Sequence, residues 1–380
     1  MKEIWVALIA CGLGCALHSP GADASTEQVL YPFGNGSDGS NPSAGLIDVG
    51  GSLGTVYGTT AGGGIYHDGT LFSLNLATDA ETILHSFSGR ADGDQPYASV
   101  IKVNGKLFGT SGGGAHSGEG TLFSFNLKSG LRRVLHTFDG MDGKGPRYLI
   151  NVNGTLYGTT VWGGTSGNGT VFSFNLNTGA ATVLYSFGSG TDGTNPYGAL
   201  IDVNGMLYGT TFAGGTWGDG TAFSFNPQTD AETVLWAFGN GTDGQTPYAG
   251  LINVKGTLYG TTYYGGTHGD GTVYSFNPET DTEAVLWSFG NGTDGQNPFA
   301  GLTKVNGTLF GTTYGGGAYG TGTVFSLAPQ TDAEAVLWSF GNGTDGQNPS
   351  SSLSDVNGVL YGTTTAGGLY RGGTVFEFTP

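Results

Sequence analysis

Basic side chains are rare in this chain: 12 Lys and Arg stand against 29 Asp and Glu, for a formal charge of −17. Four of them nevertheless share one kind of loop. Arg90, Lys144, Arg147 and Arg371 fall in long glycine-rich connections, joined there by His67 and His116. A guanidinium grips a carboxylate or sulfate through two parallel hydrogen bonds, and an ammonium adds a point charge. A basic sector on an acidic protein therefore suits an anionic polysaccharide such as one built from uronic acids. A lyase on such a chain would use Arg147 to neutralise the carboxylate and His67 or His116 to move the adjacent proton. The plainer reading is that six residues scatter through less regular loops and meet nowhere.

Aromatic residues occupy the same loops: Tyr66, Trp162, Phe212, Trp217, Tyr263, Tyr264, Tyr314, Tyr319 and Tyr370. Neighbouring glycines cannot shield them, so several are expected at the surface. An exposed ring among Asp, Asn and Thr suits a sugar, which stacks one apolar face and hydrogen-bonds its hydroxyls. Packing between structural units is the competing account. Trp236, Trp287 and Trp338 recur in register inside strands and read as packing, as do His85 and His136 at the same position.

A third set is an Asp-Gly pair at Asp38, Asp92, Asp142, Asp192, Asp243, Asp294 and Asp345. Seven carboxylates in equivalent loops could ring calcium ions. A pair kept in every unit is more simply a turn, with Asp capping its own backbone and Gly taking the left-handed conformation. No cofactor is therefore expected, with calcium as the alternative. The acidic balance excludes a nucleic-acid partner. No phosphate-binding strand–helix glycine loop and no His-Glu-x-x-His motif occurs.

The elements that hold these loops repeat. Tyr-Gly-Thr-Thr and its variants are centred on Tyr57, Phe108, Tyr157, Tyr208, Tyr259, Phe310 and Tyr361, at steps of 51 residues with one step of 49. Three further motifs rotate with it: Gly-Thr-x-Phe-Ser, Val-Leu-Trp-Ser-Phe and Gly-Leu-Ile-x-Val. Each is a short run rich in β-branched and aromatic residues between turn signals, so each predicts a strand. Asn-Gly, as at Asn153-Gly154, and Asn-Pro-x-Thr-Asp, as at Asn226 to Asp230, supply tight turns. Four strands in a unit near 50 residues is the pattern of a propeller blade. The unit at the C-terminus lacks its fourth strand, and one such strand, Val29 to Phe33, stands alone at the N-terminus. The expected fold is all-β: a seven-bladed β-propeller of four-stranded antiparallel blades, closed by an N-terminal outer strand. Gly and Pro, at 75 and 13 residues, reach a level seen in disordered chains, but 12% aromatics at a fixed period argue for a packed fold.

The run Leu-Tyr-Gly-Thr-Thr-x-x-Gly-Gly…Gly-Thr-Val-Phe-Ser-Phe-Asn, followed by Val-Leu-x-x-Phe and Asp-Gly-x-x-Pro, resembles the GloVer tandem repeat of bacterial secreted proteins, a choice-of-anchor family. The resemblance spans residues 27 to 380. Such proteins often carry a C-terminal sorting anchor; none is seen before Pro380, and anchoring by that route is not expected. The Gly-Gly after the second strand is also similar to kelch blades, a likeness of layout that implies no activity. By this analogy the strands run, inner to outer, Ile-x-Val, Tyr-Gly-Thr-Thr, Phe-Ser-Phe and Leu-Trp-Ser-Phe. Both long loops then lie on one face, where a site is expected.

Residues 1–24 read as a signal peptide: Lys2, an apolar stretch from Ile4 to Leu17, then Ala22-Asp23-Ala24 before the cut. The apolar stretch is too short to span a membrane. Both cysteines, Cys11 and Cys15, fall within it, and Leu8-Ile9-Ala10-Cys11 offers the alternative of a lipidated Cys11. Residues 25–380 form the propeller. The leading expectation is a secreted or cell-surface monomer that binds polysaccharide or a surface protein through its long-loop face. Candidate ligand contacts are Arg90, Lys144, Arg147, Arg371, Tyr66, Trp162, Trp217, Tyr264, Tyr319 and Tyr370. The alternatives are a lyase on anionic glycans, and a structural scaffold without a small-molecule site.

Overall fold

The computed structural model describes residues 25–50, 54–114 and 118–380. The expected leader with Cys11 and Cys15, and His116, lie outside the described residues. The seven repeats form seven antiparallel four-stranded blades around an axis. Blade 4 is representative. Its strands Ile201–Val203, Met206–Thr211, Thr221–Asn226 and Ala231–Ala237 run in that order from axis to rim. Blade 7 takes its outermost strand from the other end of the chain, with Thr26–Pro32 paired to Thr374–Thr379 and Val29 opposite Phe376.

The motifs recur because each part has a packing duty. The glycine of Tyr-Gly-Thr-Thr lies under the aromatic ring of the third strand; a Cβ on Gly209 would stand 2.7 Å from Phe223 Cζ. The phenylalanine ending each outermost strand turns into the next blade. Phe33 meets Phe72 edge-to-face at 5.0 Å, and Phe289 meets Phe325 at 5.0 Å. The core is thus a ring of clusters between blades, in which Phe33, Phe72, Phe289 and Phe325 are fully buried. Burying each such ring contributes about 1.5–3 kcal/mol.

The two threonines divide the polar work. The second is bonded within its blade: Thr211 Oγ1 accepts the Thr221 N–H at 3.0 Å and lies 2.9 Å from Thr221 Oγ1. The first reaches the next blade. Thr210 donates to the Ala249 carbonyl at 2.8 Å, Thr261 to Ala300 at 3.1 Å, and Thr110 to Arg147 at 2.8 Å. In six of the seven blades such a bond fixes the segment that enters the next innermost strand, and that segment faces the axis; Thr159 Oγ1 is buried without a partner.

The Asp-Gly loops pin the blade ends. In each, the Asp carboxylate accepts the backbone N–H of a residue three or four positions earlier, as from Gly239 to Asp243 and Gly341 to Asp345, both at 3.0 Å. Several also accept from the outermost strand: Tyr185 Oη donates to Asp192 at 2.8 Å and Trp236 Nε1 to Asp243 at 3.2 Å, while His85 pairs with Asp92 and His136 with Asp142. At His85, His136 and Trp236 the recurring position therefore both packs and caps.

A cup at the channel mouth

Only the axis of a propeller can be lined by one residue from every blade, and one loop position meets that condition. The residue after each loop proline (after Gly145-Pro146 in blade 3) is Ser43, Tyr97, Arg147, Tyr197, Tyr248, Phe299 or Ser350, and all seven line a single cavity of about 900 Å³. Tyr263 and Tyr314, which follow the Thr-Thr pair in blades 5 and 6, add to its wall. The rings form an arc. Tyr197 and Tyr248 lie 4.6 Å apart between centroids, Tyr248 and Phe299 4.3 Å, and Phe299 and Tyr314 6.1 Å. Phe212 fills the angle behind Tyr197 and Tyr248, at 5.5 and 5.1 Å. Ser43 and Ser350 continue the wall with small side chains, their hydroxyls buried without a partner.

Arg147 completes the ring between two tyrosines, its guanidinium carbon 4.8 Å from the Tyr97 ring and 5.2 Å from the Tyr197 ring. Stacking of this kind holds a guanidinium in plane while leaving its edge free to donate. No carboxylate lies within 4 Å of it among the described residues, and its buried Nε has no acceptor. Among the described residues no Asp or Glu lines the cavity, and the one other basic lining group is His67. Burial pushes the Tyr248 phenol well above its ordinary value, with Tyr197 adding to the effect, and burial raises Tyr263 as well. The cup is thus a neutral aromatic wall carrying one unpaired cation.

The loop that delivers Arg147 is unlike the other six. Phe138 to Leu149 is two residues shorter than its counterparts, which accounts for the 49-residue step. The innermost strand of this blade runs unbroken over Lys144–Val152, with a register shift between Pro146 and Leu149. Tyr148 consequently lines the cavity beside Arg147, where other blades place small residues such as Ala199 and Ala249.

The structure brings together Arg147, His67, Tyr263 and Tyr314 of the residues singled out in the sequence. It places others on the rim. Lys144 Nζ pairs with Glu119 at 3.0 Å. Arg90 and Arg371 are exposed and do not line the cup. Tyr66, Trp217, Tyr319 and Tyr370 occupy one equivalent loop position and are about half exposed. Trp217 Cβ would sit 3.0 Å from a Cβ on Gly239, just past the outermost strand, so this position belongs to the outer edge. Trp162 and Tyr264 stand between rim and cup, Trp162 edge-on to Tyr197 at 6.1 Å and Tyr264 edge-on to Tyr263 at 4.6 Å. Tyr97, Tyr148, Tyr197, Tyr248 and Phe299 were not anticipated. For all but Tyr148 a signal was present: the residue after the loop proline changes between Ser, Tyr, Arg and Phe from blade to blade. Among the described residues no group of three or more His, Cys, Asp or Glu is placed to hold a metal ion.

Solved propellers share this architecture at low identity, a likeness of fold alone. The extracellular domain of a putative hybrid two-component system from B. thetaiotaomicron matches 92% of this chain with a TM-score of 0.63 and 12% identity; the match covers 39% of that longer chain. An oligogalacturonate lyase from Vibrio parahaemolyticus matches over 94% of this chain and 97% of its own, with a TM-score of 0.56 and 11% identity. The computationally designed Ika8 protein matches over 93% and 100%, with a TM-score of 0.53 and 15% identity. No curated protein sequence matches the chain. The sequence profile of the Gloeobacter/Verrucomicrobia repeat matches residues 16–152, 147–309 and 290–380, end to end across the blades, and the chain belongs to that repeat family.

Proposed function

We propose that this propeller is exported and binds an acidic saccharide in the cup at its channel mouth. The observation that carries the reading is Arg147: a guanidinium without a carboxylate partner, held between Tyr97 and Tyr197, in a protein whose net charge is −17. Leaving such a charge unpaired in a half-enclosed site is costly unless a ligand completes it. The aromatic arc supplies a stacking surface for the apolar face of a pyranose, and the neutral phenols supply hydroxyl partners. A cup of about 900 Å³ has the size of a small-ligand site rather than of a protein interface. Export rests on the leader pattern in residues 1–24; among the described residues no helix is long and apolar enough to cross a membrane.

Calorimetric titration of the mature protein with matched oligosaccharides, one series of uronates and one of the neutral hexoses, tests the reading. Tighter binding of the uronates is expected. Equal affinity for both series, or no binding to either, would overturn it.

A further inference from the structure

Five blade interfaces contain a feature that the cup does not use. Near the start of the outermost strand, Glu27, Glu81, Glu232, Glu283 and Glu334 each bury one carboxyl oxygen with no hydrogen-bond partner. The negative charge that bears on each is the Asp of the loop entering its own blade: Asp345, Asp38, Asp192, Asp243 and Asp294 respectively. The other titratable neighbours are phenols, Tyr31 beside Glu81, Tyr185 beside Glu232 and Tyr274 beside Glu283. No ion pair joins any of the five to Lys, Arg or His among the described residues. A carboxyl group with one oxygen buried and unpartnered, and a second negative charge bearing on it, ionises only at a cost, so each Glu holds its proton to higher pH.

The two remaining interfaces show the contrast. In blade 2 the position is Arg132, which salt-bridges Asp92. In blade 3 it is Ala181, and Asp142 is bonded by His136 at 2.6 Å. Burial works against both of these Asp carboxylates, but their bonds to His85 and His136, with the Arg132 charge at Asp92, hold them below the usual range.

We infer that the five Glu–Asp pairs are proton-dependent clasps between blades, closed at acidic pH and opened as pH rises into the alkaline range, and that they control the shape of the cup. The link is short. Asp192, Asp243, Asp294, Asp345 and Asp38 each stand five residues before a cup residue: Tyr197, Tyr248, Phe299, Ser350 and Ser43. The Arg132–Asp92 and His136–Asp142 contacts instead hold the loops of Tyr97 and Arg147. Alkali therefore loosens the aromatic arc and the serine side and leaves the Arg147 loop in place.

Burial, then the facing Asp, pushes Glu81, Glu232, Glu283 and Glu334 up to about 7 and Glu27 up to about 8. The native state thus holds protons that the unfolded chain releases near the ordinary glutamate value. The stabilisation is complete below that value and is lost as pH rises through 7 to 8.

The test is thermal unfolding of the mature protein from pH 5 to pH 9, for the native chain and for E27Q/E81Q/E232Q/E283Q/E334Q. Gln keeps the shape of a protonated Glu and cannot ionise. The native Tm should fall by several degrees across that range, and the substituted protein should show little fall. Should the fivefold variant not fold, E232Q alone should remove a visible part of the slope. Hydrogen exchange adds a local readout: between pH 6 and pH 8.5, after correction for intrinsic rates, the loops of Asp192, Asp243 and Asp294 should lose protection. The loops of Asp92 and Asp142 should not. A flat or rising Tm, an unchanged slope in the Gln variants, or equal loss at all seven loops would overturn the inference. Control of the cup rests on the saccharide reading, and uronate affinity that falls with pH in the native chain but not in the Gln variant would support it. Absence of uronate binding at every pH would refute the ligand alone, since the melting and exchange data do not depend on it.

Discussion

The backbone N–H of Phe33 donates to the carbonyl of Gly373 at 2.8 Å, and the N–H of Gly372 donates back to Phe33 at 3.0 Å. In blade 4 the matching bond, Phe238 to Gly220, joins residues of one repeat. In blade 7 it joins the two ends of the ring, so closure uses the same contact that builds every blade.

Removing residues 25 to 34 should therefore open the ring. The deletion takes away Leu30 and Phe33, both buried, and uncovers Phe376 and Phe72. Lost burial of that size corresponds to a Tm lower by about 10 °C or more. A truncated protein that melts like the full chain would show that closure does not depend on this strand.

The glycine of Tyr-Gly-Thr-Thr should resist even the smallest side chain. A Cβ on Gly311 would stand 2.5 Å from Phe325 Cζ and 3.0 Å from Leu302 Cδ2, inside a fully packed interface. Gly311→Ala should cost about 1–3 kcal/mol in urea unfolding, as overpacking does. Pairing it with Phe325→Leu should recover part of the loss, because the smaller side chain vacates the clash. Strict additivity of the two changes would refute the steric account.

These contacts explain why the fold was legible and the site only partly so. Strand order, blade number and ring closure follow from residues that must recur, such as Gly311, Phe289 and Thr313, because each satisfies the same neighbour in every blade. The cup is built from what varies: Tyr97, Arg147, Tyr197, Tyr248, Phe299. Arg147 stood out because charge is scarce here. The tyrosines did not, since the chain has 18 of them and their place at the axis depends on how the loop enters the innermost strand. Lys144 lies three residues from Arg147 yet pairs with Glu119, a partner from the preceding blade that spacing does not reveal. Among the described residues, the basic sector of the sequence narrows in space to Arg147 and His67.

The Asp-Gly loops should behave as turns. Asp243 accepts from Gly239 N–H at 3.0 Å and from Trp236 Nε1 at 3.2 Å. Asp243→Ala leaves both donors unpaired in a largely buried place, a loss of about 1–3 kcal/mol per donor at most. Chelator should leave Tm unchanged. A lower Tm in chelator, restored by added calcium, would instead assign these carboxylates to metal.

The sharpest prediction concerns Arg147 itself. Its flanking rings fix its plane, so a ligand carboxylate would gain charged hydrogen bonds without first ordering the side chain. Arg147→Ala should weaken uronate binding by about 1.5–3 kcal/mol, roughly ten- to a hundredfold, with little change in Tm. Arg147→Lys should restore only part of the affinity, because an ammonium keeps the charge but loses the fork and the stacking. Rising salt should weaken the native protein more than Arg147→Ala, since the variant has less charge to screen. Lys304 is the control: it is exposed in the innermost strand Thr303–Val305 of blade 6 and lines no part of the cup. Lys304→Ala should bind as the native chain does. If the two alanine variants lose affinity equally, attraction is a matter of overall charge, and Arg147 has no special place in it.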